Sequence, residues 1–271
     1  MKTRILASVL LLPLLLAVVL FLPKIFTAIL FGAMAAIGAY ELLHNTGLVK
    51  HNRLVAYGMI MAVFVSLWSN MWTVYPLILL GILTFFCILF AELLLFHRKL
   101  TLQDLTVTLL AGGVLPFLLG AVVRIHSLAT GRFLILLPFL IAFLSDTGAY
   151  FTGRFLGKHK LAPVISPKKT VEGLIGGVLT AIVGVVVYCL VLQRYFGFQV
   201  NWLCVPIYGI LGSLGAVFGD LCFSVVKRQT GIKDYGNLIP GHGGILDRFD
   251  SMMVVAPLTE LLILLIPMVV R

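Results

Sequence analysis

Apolar stretches of about 20 residues follow one another along almost the whole 271-residue chain, and no other feature constrains its fold as strongly. Hydrophobic residues make up 61% of the sequence, charged residues make up 11%, and the mean hydropathy is +1.13. A typical soluble domain has about 25% charged residues, so this chain has too few to cover a soluble core. Because about 20 apolar residues span a bilayer, the sequence predicts an all-α, polytopic integral membrane protein.

Nine membrane-spanning helices are predicted, separated by polar loops or short turns. The first follows Lys2 and Arg4, as a cleaved signal peptide would, but it is long for a signal peptide and no clear A-x-A cleavage site follows. We therefore expect it to be retained. The predicted spans cover about residues 5–22, 25–43, 54–72, 74–96, 105–123, 133–152, 173–196, 202–223 and 251–270.

The loop charges predict how the protein is oriented in the membrane. Fifteen of the 20 Lys and Arg residues lie at the N-terminus or in the loops after the second, fourth, sixth and eighth spans. Positively charged loops stay in the cytoplasm, so the N-terminus and the basic loops 154–172 and 224–250 are expected there, and the C-terminus outside. Groups capable of chemistry concentrate in the second half, which predicts a scaffold, 1–103, and a catalytic region, 104–271. The net charge of +10 indicates anionic partners, either lipid headgroups or nucleotides.

The stretch from Ser224 to Asp250, SVVKRQTGIKDYGNLIPGHGGILDRFD, concentrates charge beside the membrane. It places bases and carboxylates among five glycines. Glycine lets the backbone approach a ligand closely, bases suit phosphate, and carboxylates suit a hard cation such as Mg²⁺. This composition predicts a metal-dependent phosphate site at the membrane surface.

Residue spacing predicts how the carboxylates are presented. Asp220, Ser224 and Lys227 stand at i, i+4 and i+7, so they share one helix face if the eighth span continues that far. Asp247 and Asp250, at i and i+3, are expected to share a face at the start of the ninth span. The glycine-rich loop joins the two helix ends, so the carboxylates could converge on one or two Mg²⁺ ions.

A less functional interpretation remains open for this stretch. Asp247 and Arg248 could simply cap a helix while the other acids pair with nearby bases. The His-Gly-Gly sequence just before them has no evident packing purpose, which favours the metal site.

A second polar cluster runs from Ser145 to Gly173. Asp146 lies in the cytoplasmic half of the sixth span, and a helix is expected to start near Glu172. Hydroxyl groups, ammonium groups and a helix N-terminus together can form an anion site. Basic cytoplasmic loops often serve only to set topology, so this cluster is the weaker of the two. Its candidate phosphate-binding residues are Ser166, Lys168, Lys169 and Thr170.

Several other kinds of site are not indicated. The chain has no GxxxxGK[ST] loop, no GxSxG turn and no HExxH motif, so neither a protein nucleophile nor zinc is expected. The four cysteines lie in apolar stretches without a CxxC pair and are interpreted as small buried hydrophobes. Closely spaced glycines in the seventh and eighth spans predict close helix packing in lipid.

The residues of the two clusters resemble the bacterial phosphatidate cytidylyltransferase (CDP-diacylglycerol synthase) family. The resemblance extends from Asp146 to Asp250, and its more specific part is the pattern Ser224-x-Val226-Lys227-Arg228, Lys233-Asp234-x-Gly236 and Ile239-Pro240-x-His242-Gly243-Gly244-Ile245-x-Asp247-Arg248-Phe249-Asp250.

The resemblance implies a Mg²⁺-dependent enzyme of the inner membrane that joins CTP and phosphatidic acid, giving CDP-diacylglycerol and pyrophosphate. It implies a homodimer, an active site facing the cytoplasm, one or two divalent ions and no nucleic-acid partner. The candidate catalytic residues are Asp220, Asp247, Lys227 and Arg228. The candidate metal ligands are Asp220, Asp247, Asp250 and Asp146. The candidate substrate-binding residues are Ser166, Lys168, Lys169, Thr170, Ser224, Lys233, Asp234, His242, Gly243, Gly244 and Arg248.

Two alternatives are weighed against this assignment. The spaced Asp-Gly, Ala-Arg, Gly, Asp and Asp motif of the CDP-alcohol phosphotransferases is not present in the chain. A transporter of anionic metabolites could use Glu92, Asp146 and Glu260 as coupling groups, but its site would lie near mid-bilayer between similar halves. In this chain the charges gather at one predicted face.

Overall fold

The computed structural model describes residues 13–71, 74–239, 241 and 243–270. The chain forms two compact units. The first comprises residues up to Ser127 together with Gln229–Phe249, and the second comprises Leu128–Arg228 together with Asp250–Arg271. The predicted division into a scaffold, 1–103, and a catalytic region, 104–271, stays a prediction.

The elements described within residues 13–71 and 74–127 are helical. Two of the helices contain a π-helical turn, a type of irregularity often found at functional sites. In chain order the helices of this part are α1 (13–21), α2 (Lys24–Tyr40, continued by the π-turn Glu41–Asn45), α3 (Asn52–Ser69), α4 (Tyr75–Leu95), α5 (Leu102–Leu109, continued by the π-turn Leu110–Val114), α6 (Leu115–Leu119) and α7 (Ala121–His126).

The remainder of the chain adds helices and two short antiparallel strand pairs, β1–β2 and β3–β4. One helix, α12, belongs to the first unit, and the other elements belong to the second. In chain order the elements after Ser127 are α8 (Gly131–Leu134), α9 (Leu136–Leu156), β1 (Lys160–Ala162), β2 (Ser166–Thr170), α10 (Val171–Phe196), β3 (Gln199–Val200), α11 (Val205–Gln229), α12 (Leu246–Phe249), α13 (Met252–Leu265) and β4 (Val269–Val270).

Seven helical stretches in the described part of the chain are long and apolar enough to cross a membrane, which confirms the all-α, polytopic prediction. The predicted first span falls partly outside the described residues, and α13 has 14 residues, about 21 Å of helix. The total of nine spans and the N-terminal orientation therefore stay predictions. The seven stretches are Lys24–Asn45, Asn52–Ser69, Tyr75–Leu95, Leu102–His126, Gly131–Leu156, Val171–Phe196 and Val205–Gln229.

Small residues bring α9 and α10 into close contact within the second unit. A Cβ atom on Gly177 would lie 2.8 Å from the backbone oxygen of Ser145, and one on Gly173 would lie 2.8 Å from that of Ala149. In the same unit, a Cβ on Gly209 of α11 would lie 2.7 Å from the backbone of Ile182. These contacts confirm the prediction that the glycines of the seventh and eighth spans allow close packing.

One local expectation is wrong. Asp247 and Asp250 were predicted on one face at the start of a single helix. In the structure, α12 ends at Phe249 and α13 begins at Met252, so Asp250 lies in the turn between two helices. The Cβ position of Gly219 lies 2.7 Å from the backbone oxygen of Asp250. That turn therefore packs against the backbone of α11 at Gly219, and a larger residue at position 219 would collide with it.

Candidate functional site

A polar cavity of about 220 Å³ lies within the second unit. Helices α9, α10 and α11 and the β1–β2 hairpin all contribute to its wall. Both signs of charge face this space, together with a hydroxyl group and an aromatic ring. The residues that matter for its chemistry are Asp146, Tyr150, Lys168, Lys169, Thr170 and Asp220.

Asp220 is the best-defined carboxylate of this cavity. Its Oδ2 lies 2.5 Å from the ammonium nitrogen of Lys169, which also donates to the backbone oxygen of Val217 at 3.4 Å. Its Oδ1 accepts a hydrogen bond from the Ser224 hydroxyl at 3.2 Å. Because α11 continues to Gln229, Asp220 and Ser224 are one helical turn apart, as their spacing predicted. The carboxylate is thus held between an ammonium group and a hydroxyl group.

Asp250 is a further carboxyl group of the second unit, close enough to feel the charges of Asp220 and Asp146. Burial, followed by the negative charge of Asp220, raises the pKa of Asp250 to about 7; Asp146 acts in the same direction, and Lys227 opposes it. The backbone N–H of Ser251 donates to Asp250 Oδ1 at 2.7 Å. Burial is the largest cause of this shift, and among the charges the effect of Asp220 exceeds that of Lys227, so a net negative charge acts on Asp250. A divalent cation would offset that charge, so the donor set fits one.

The donor set is sparse. Among residues 13–71, 74–239, 241 and 243–270, no three His, Cys, Asp or Glu side chains form a ready-made metal-binding group. Magnesium commonly takes only one or two carboxylates and completes its shell with water and substrate phosphate. The second-unit carboxylates match that pattern, in which the substrate supplies part of the coordination.

The β1–β2 hairpin presents the two predicted phosphate-binding lysines. Lys160 pairs with Thr170 and Ala162 pairs with Ser166. The Thr170 hydroxyl accepts a hydrogen bond from the N–H of Gly173 at 3.1 Å, so it caps α10, which starts one residue before Glu172. Lys168 is exposed at the cavity and Lys169 is half-buried.

Further contacts fix the base of the hairpin. The Glu172 carboxylate accepts from the N–H of Lys158 at 3.0 Å and lies 2.6 Å from the His159 ring nitrogen. On the other side, Arg228 Nε donates to the backbone oxygen of Ile165 at 3.3 Å. Arg228, predicted as a catalytic residue, thereby ties the end of α11 to the turn that precedes the lysines.

The glycine-rich loop belongs to the first unit, and its backbone donates hydrogen bonds to the carboxylate of Asp247 in α12. Asp247 is 6% exposed, and its Oδ2 accepts hydrogen bonds from the N–H groups of Tyr235 at 2.7 Å and Gly244 at 3.0 Å. Gly243, with φ of +89°, adopts a backbone conformation that other residues rarely take. These contacts close the loop around Asp247.

Glu41, at the end of α2, is the residue that sequence reasoning missed. It is 2% exposed, and its two carboxylate oxygens accept from the N–H groups of Ile245 at 2.9 Å and Leu246 at 2.8 Å. A Cβ on Gly236 would lie 2.5 Å from Glu41 Oε1, and a Cβ on Gly244 would collide with the same carboxylate. Two of the loop's glycines therefore make room for a side chain from the N-terminal half.

The sequence held only a partial signal for Glu41. A lone carboxylate near the end of an apolar span is costly in a membrane and is therefore a candidate for function. Its partners are about 200 positions away, with a separation of 204 residues to Ile245, so local spacing could not reveal them. The N-terminal half thus supplies the acceptor for the start of α12.

The predicted site residues divide between the two units. The second unit brings Asp146, Lys168, Lys169, Thr170 and Asp220 around one cavity. It also contains Ser166, Ser224, Lys227, Arg228 and Asp250. The first unit contains Gly243, Gly244 and Asp247, with Lys233, Asp234 and Arg248 exposed; His242 lies outside the described residues.

Comparisons with known proteins point in one direction. The sequence model of a family described as "Cytidylyltransferase family" matches residues 2–266. Proteins called phosphatidate cytidylyltransferase from Staphylococcus epidermidis and Staphylococcus aureus are 50% identical over 131 residues and 47% identical over 135 residues. These matches cover 48% and 49% of this chain and 48% and 50% of the relatives. The chain therefore spans about half the length of the curated relatives it matches.

Proposed function

Because the chain belongs to the cytidylyltransferase family, we propose that it transfers the cytidylyl group of CTP to phosphatidic acid, giving CDP-diacylglycerol and pyrophosphate. The relatives called phosphatidate cytidylyltransferase support this choice of substrates. The seven candidate membrane spans suit an enzyme whose lipid substrate stays in the bilayer.

The single observation that carries the proposal is the second-unit cavity. It combines Lys168 and Lys169 with Asp146 and Asp220. Ligand pockets commonly measure about 300–1,000 Å³, so a space of about 220 Å³ suits the phosphate part of a substrate better than a whole nucleotide. Bases beside carboxylates are the groups expected where phosphates meet a metal ion.

The reaction needs no protein nucleophile. A phosphate oxygen of phosphatidic acid attacks the α-phosphorus of CTP, the bond from that phosphorus to the bridging oxygen breaks, and pyrophosphate leaves with the electron pair. Both substrates are anions, so the protein must reduce their repulsion and align them. Lys168 can bind phosphate directly, and Lys169, already paired with Asp220, places a second positive charge beside it.

We propose Mg²⁺ as the cofactor, held by Asp220 and Asp250 with Asp146 beside them. When bound, the ion would neutralise phosphate charge and stabilise the leaving pyrophosphate. The fit rests on Asp146 and Asp220, which line the cavity beside Lys168 and Lys169, and on the buried Asp250, which is close enough to feel the charge of both. The metal-binding and catalytic roles predicted for Asp247 remain predictions, and its two backbone contacts support a positioning role for it.

We further propose that the active site faces the cytoplasm at the inner membrane and that the enzyme is a homodimer. CTP is cytoplasmic, while phosphatidic acid cannot leave the bilayer cheaply, because each exposed CH₂ costs about 0.8 kcal/mol. Single cysteines near Gly236 and Lys160, in a chain without its four native cysteines, should react with an impermeant thiol reagent only from the cytoplasmic side. Light scattering of the purified protein should give a mass of two chains.

The activity itself is tested with the full chain purified in detergent. With CTP, phosphatidic acid and Mg²⁺, it should release pyrophosphate and form CDP-diacylglycerol in equal amounts. ATP in place of CTP, diacylglycerol in place of phosphatidic acid, or chelation of Mg²⁺ should each stop product formation. A folded protein that forms no CDP-diacylglycerol under these conditions would overturn the proposal. Turnover without a sealed compartment also separates an enzyme from a transporter.

A further inference from the structure

A second polar cavity, of about 340 Å³, lies within the first unit and plays no part in the proposed reaction. It is formed where the segment before α3 meets the end of α4 and the turn that follows it. Lys50, His51 and Arg53 line one side, and Glu92, Phe96 and Lys99 line the other. His51 Nε2 lies 3.2 Å from the backbone oxygen of Lys99, which links the two sides.

The charge in this cavity is unbalanced. Lys50, Arg53 and Lys99 are cationic, whereas Glu92 is the lone acid among the residues that line it. Among the described residues, neither lysine has an ion-pair partner. Glu92 is already satisfied, because the Tyr57 hydroxyl donates to its Oε1 at 2.9 Å and Arg53 Nη1 lies 3.8 Å from the same oxygen. Two positive charges are therefore left to face an anion.

Arg53 is held in place for such a role. Its guanidinium carbon lies 5.2 Å from the centre of the Phe96 ring, which is cation–π geometry, while its side chain stays 67% exposed. Because the ring and Glu92 restrict its motion, binding an anion costs Arg53 less rotational freedom than it would cost a free surface arginine. A loop that served only to set topology would not require an arginine oriented in this way.

The surroundings of the cavity favour a lipid. Leu94 and Leu95, just before Phe96, are 76% and 75% exposed, and Leu102, at the start of α5, is 63% exposed. Charged groups beside exposed leucines at a helix end match the boundary between headgroups and acyl chains. Both connecting segments lie on the predicted cytoplasmic side, where anionic lipids attract bases.

We propose that this cavity binds the phosphate headgroup of an anionic phospholipid, at a site distinct from the second-unit cavity. Bases near a membrane surface attract anionic lipid, so Lys50 and Lys99, which have no ion-pair partner among the described residues, determine most of the selectivity. The proposal does not depend on the enzymatic activity, because all residues that form the site belong to the first unit.

The test uses the full chain in detergent, with thermal unfolding measured during titration with short-chain lipids at constant ionic strength. Dioctanoyl phosphatidylglycerol should raise the melting temperature with saturation, whereas dioctanoyl phosphatidylcholine should not. Equal shifts from the two lipids would overturn the proposal. Inorganic phosphate should have little effect at the same concentrations. If it binds as tightly as phosphatidylglycerol and depends on the same lysines, the lipid assignment is wrong.

Matched variants locate the site. Replacing Lys50 and Lys99 together by glutamine should weaken phosphatidylglycerol binding about tenfold or more. Arg98→Gln is the control, because Arg98 is the exposed neighbour of Lys99 and does not line the cavity. It should change the affinity by less than about twofold. Asp220→Asn should bind phosphatidylglycerol as the wild type does, and a loss there would move the lipid to the second unit. Equal affinities for the double variant and Arg98→Gln would overturn the assignment.

Discussion

The two charged clusters of the protein use their carboxylates in opposite ways. In the first unit, Glu41 and Asp247 accept hydrogen bonds from backbone N–H groups of the glycine-rich loop. In the second unit, Asp220 contacts an ammonium group and a hydroxyl group beside an open cavity. A carboxylate that accepts from backbone donors holds a loop, whereas one that is paired with side-chain groups at a cavity can exchange partners with a substrate or metal. Density of charge in the sequence does not distinguish these cases.

Neutralising one carboxylate from each cluster tests whether the two carboxylates have different roles. Asp220→Asn should lower CDP-diacylglycerol formation by at least about 10²-fold with an unchanged melting temperature, because it removes charge from the reaction site. Asp247→Asn should lower activity together with the melting temperature, because its Oδ2 holds the loop. Turnover and thermal unfolding measured on the same samples check both. A stable but inactive Asp247→Asn protein would show that Asp247 has a catalytic or metal-binding role.

Neutralising Glu41 tests whether the N-terminal half holds the loop. Glu41→Gln replaces one acceptor oxygen with an NH₂ group that cannot accept, so one backbone N–H loses its partner. We expect a loss of about 1–3 kcal/mol in the free energy of unfolding.

Asp104→Asn provides the comparison for Glu41, since Asp104 is an acid of the same unit that closes the capping box of α5. Its replacement should cost less than about 1 kcal/mol. Chemical denaturation of both variants in one detergent measures the difference. Equal losses would show that the buried contacts of Glu41 have no special weight.

A glycine substitution tests the packing around Glu41 without changing charge. In Gly244→Ala the new methyl group collides with the Glu41 carboxylate, so we expect about 1–3 kcal/mol of destabilisation. Gly113→Ala is the control in the same unit, because its Cβ would meet nothing within 4 Å. It should be neutral or slightly stabilising, since alanine favours helix. Thermal unfolding of the two variants checks this, and a neutral Gly244→Ala would contradict the close packing of Gly244 against the Glu41 carboxylate.

The smallest effect is expected within the second unit, between two adjacent lysines. Lys168→Gln should raise KM for CTP or phosphatidic acid by roughly five- to tenfold while kcat is kept, because Lys168 is exposed at the cavity. Lys169→Gln should lower kcat as well, because Lys169 also sets the charge around Asp220. Steady-state kinetics of both variants measure kcat and KM, and identical changes in the two variants would show that the two lysines do not have different roles.

What could be predicted from the sequence depended on distance along the chain. The spans and the pairing of Asp220 with Ser224 follow from hydropathy and helical spacing, which are local properties. The lysine hairpin was expected only as a basic loop, because its short polar strands lack the alternation that marks a half-buried strand. The helix break after Phe249 and the partners of Glu41 depend on tertiary contacts, which no local pattern records.

The contact between Glu41 and the start of α12 also has a consequence for biosynthesis. The carboxylate is made 204 residues before the backbone group of Ile245 that it accepts from. At a synthesis rate of about 5–20 residues per second, roughly 10–40 seconds pass between the synthesis of Glu41 and that of Ile245. Any chain that stops short of residue 245 keeps that acid without these donors at the end of an apolar helix.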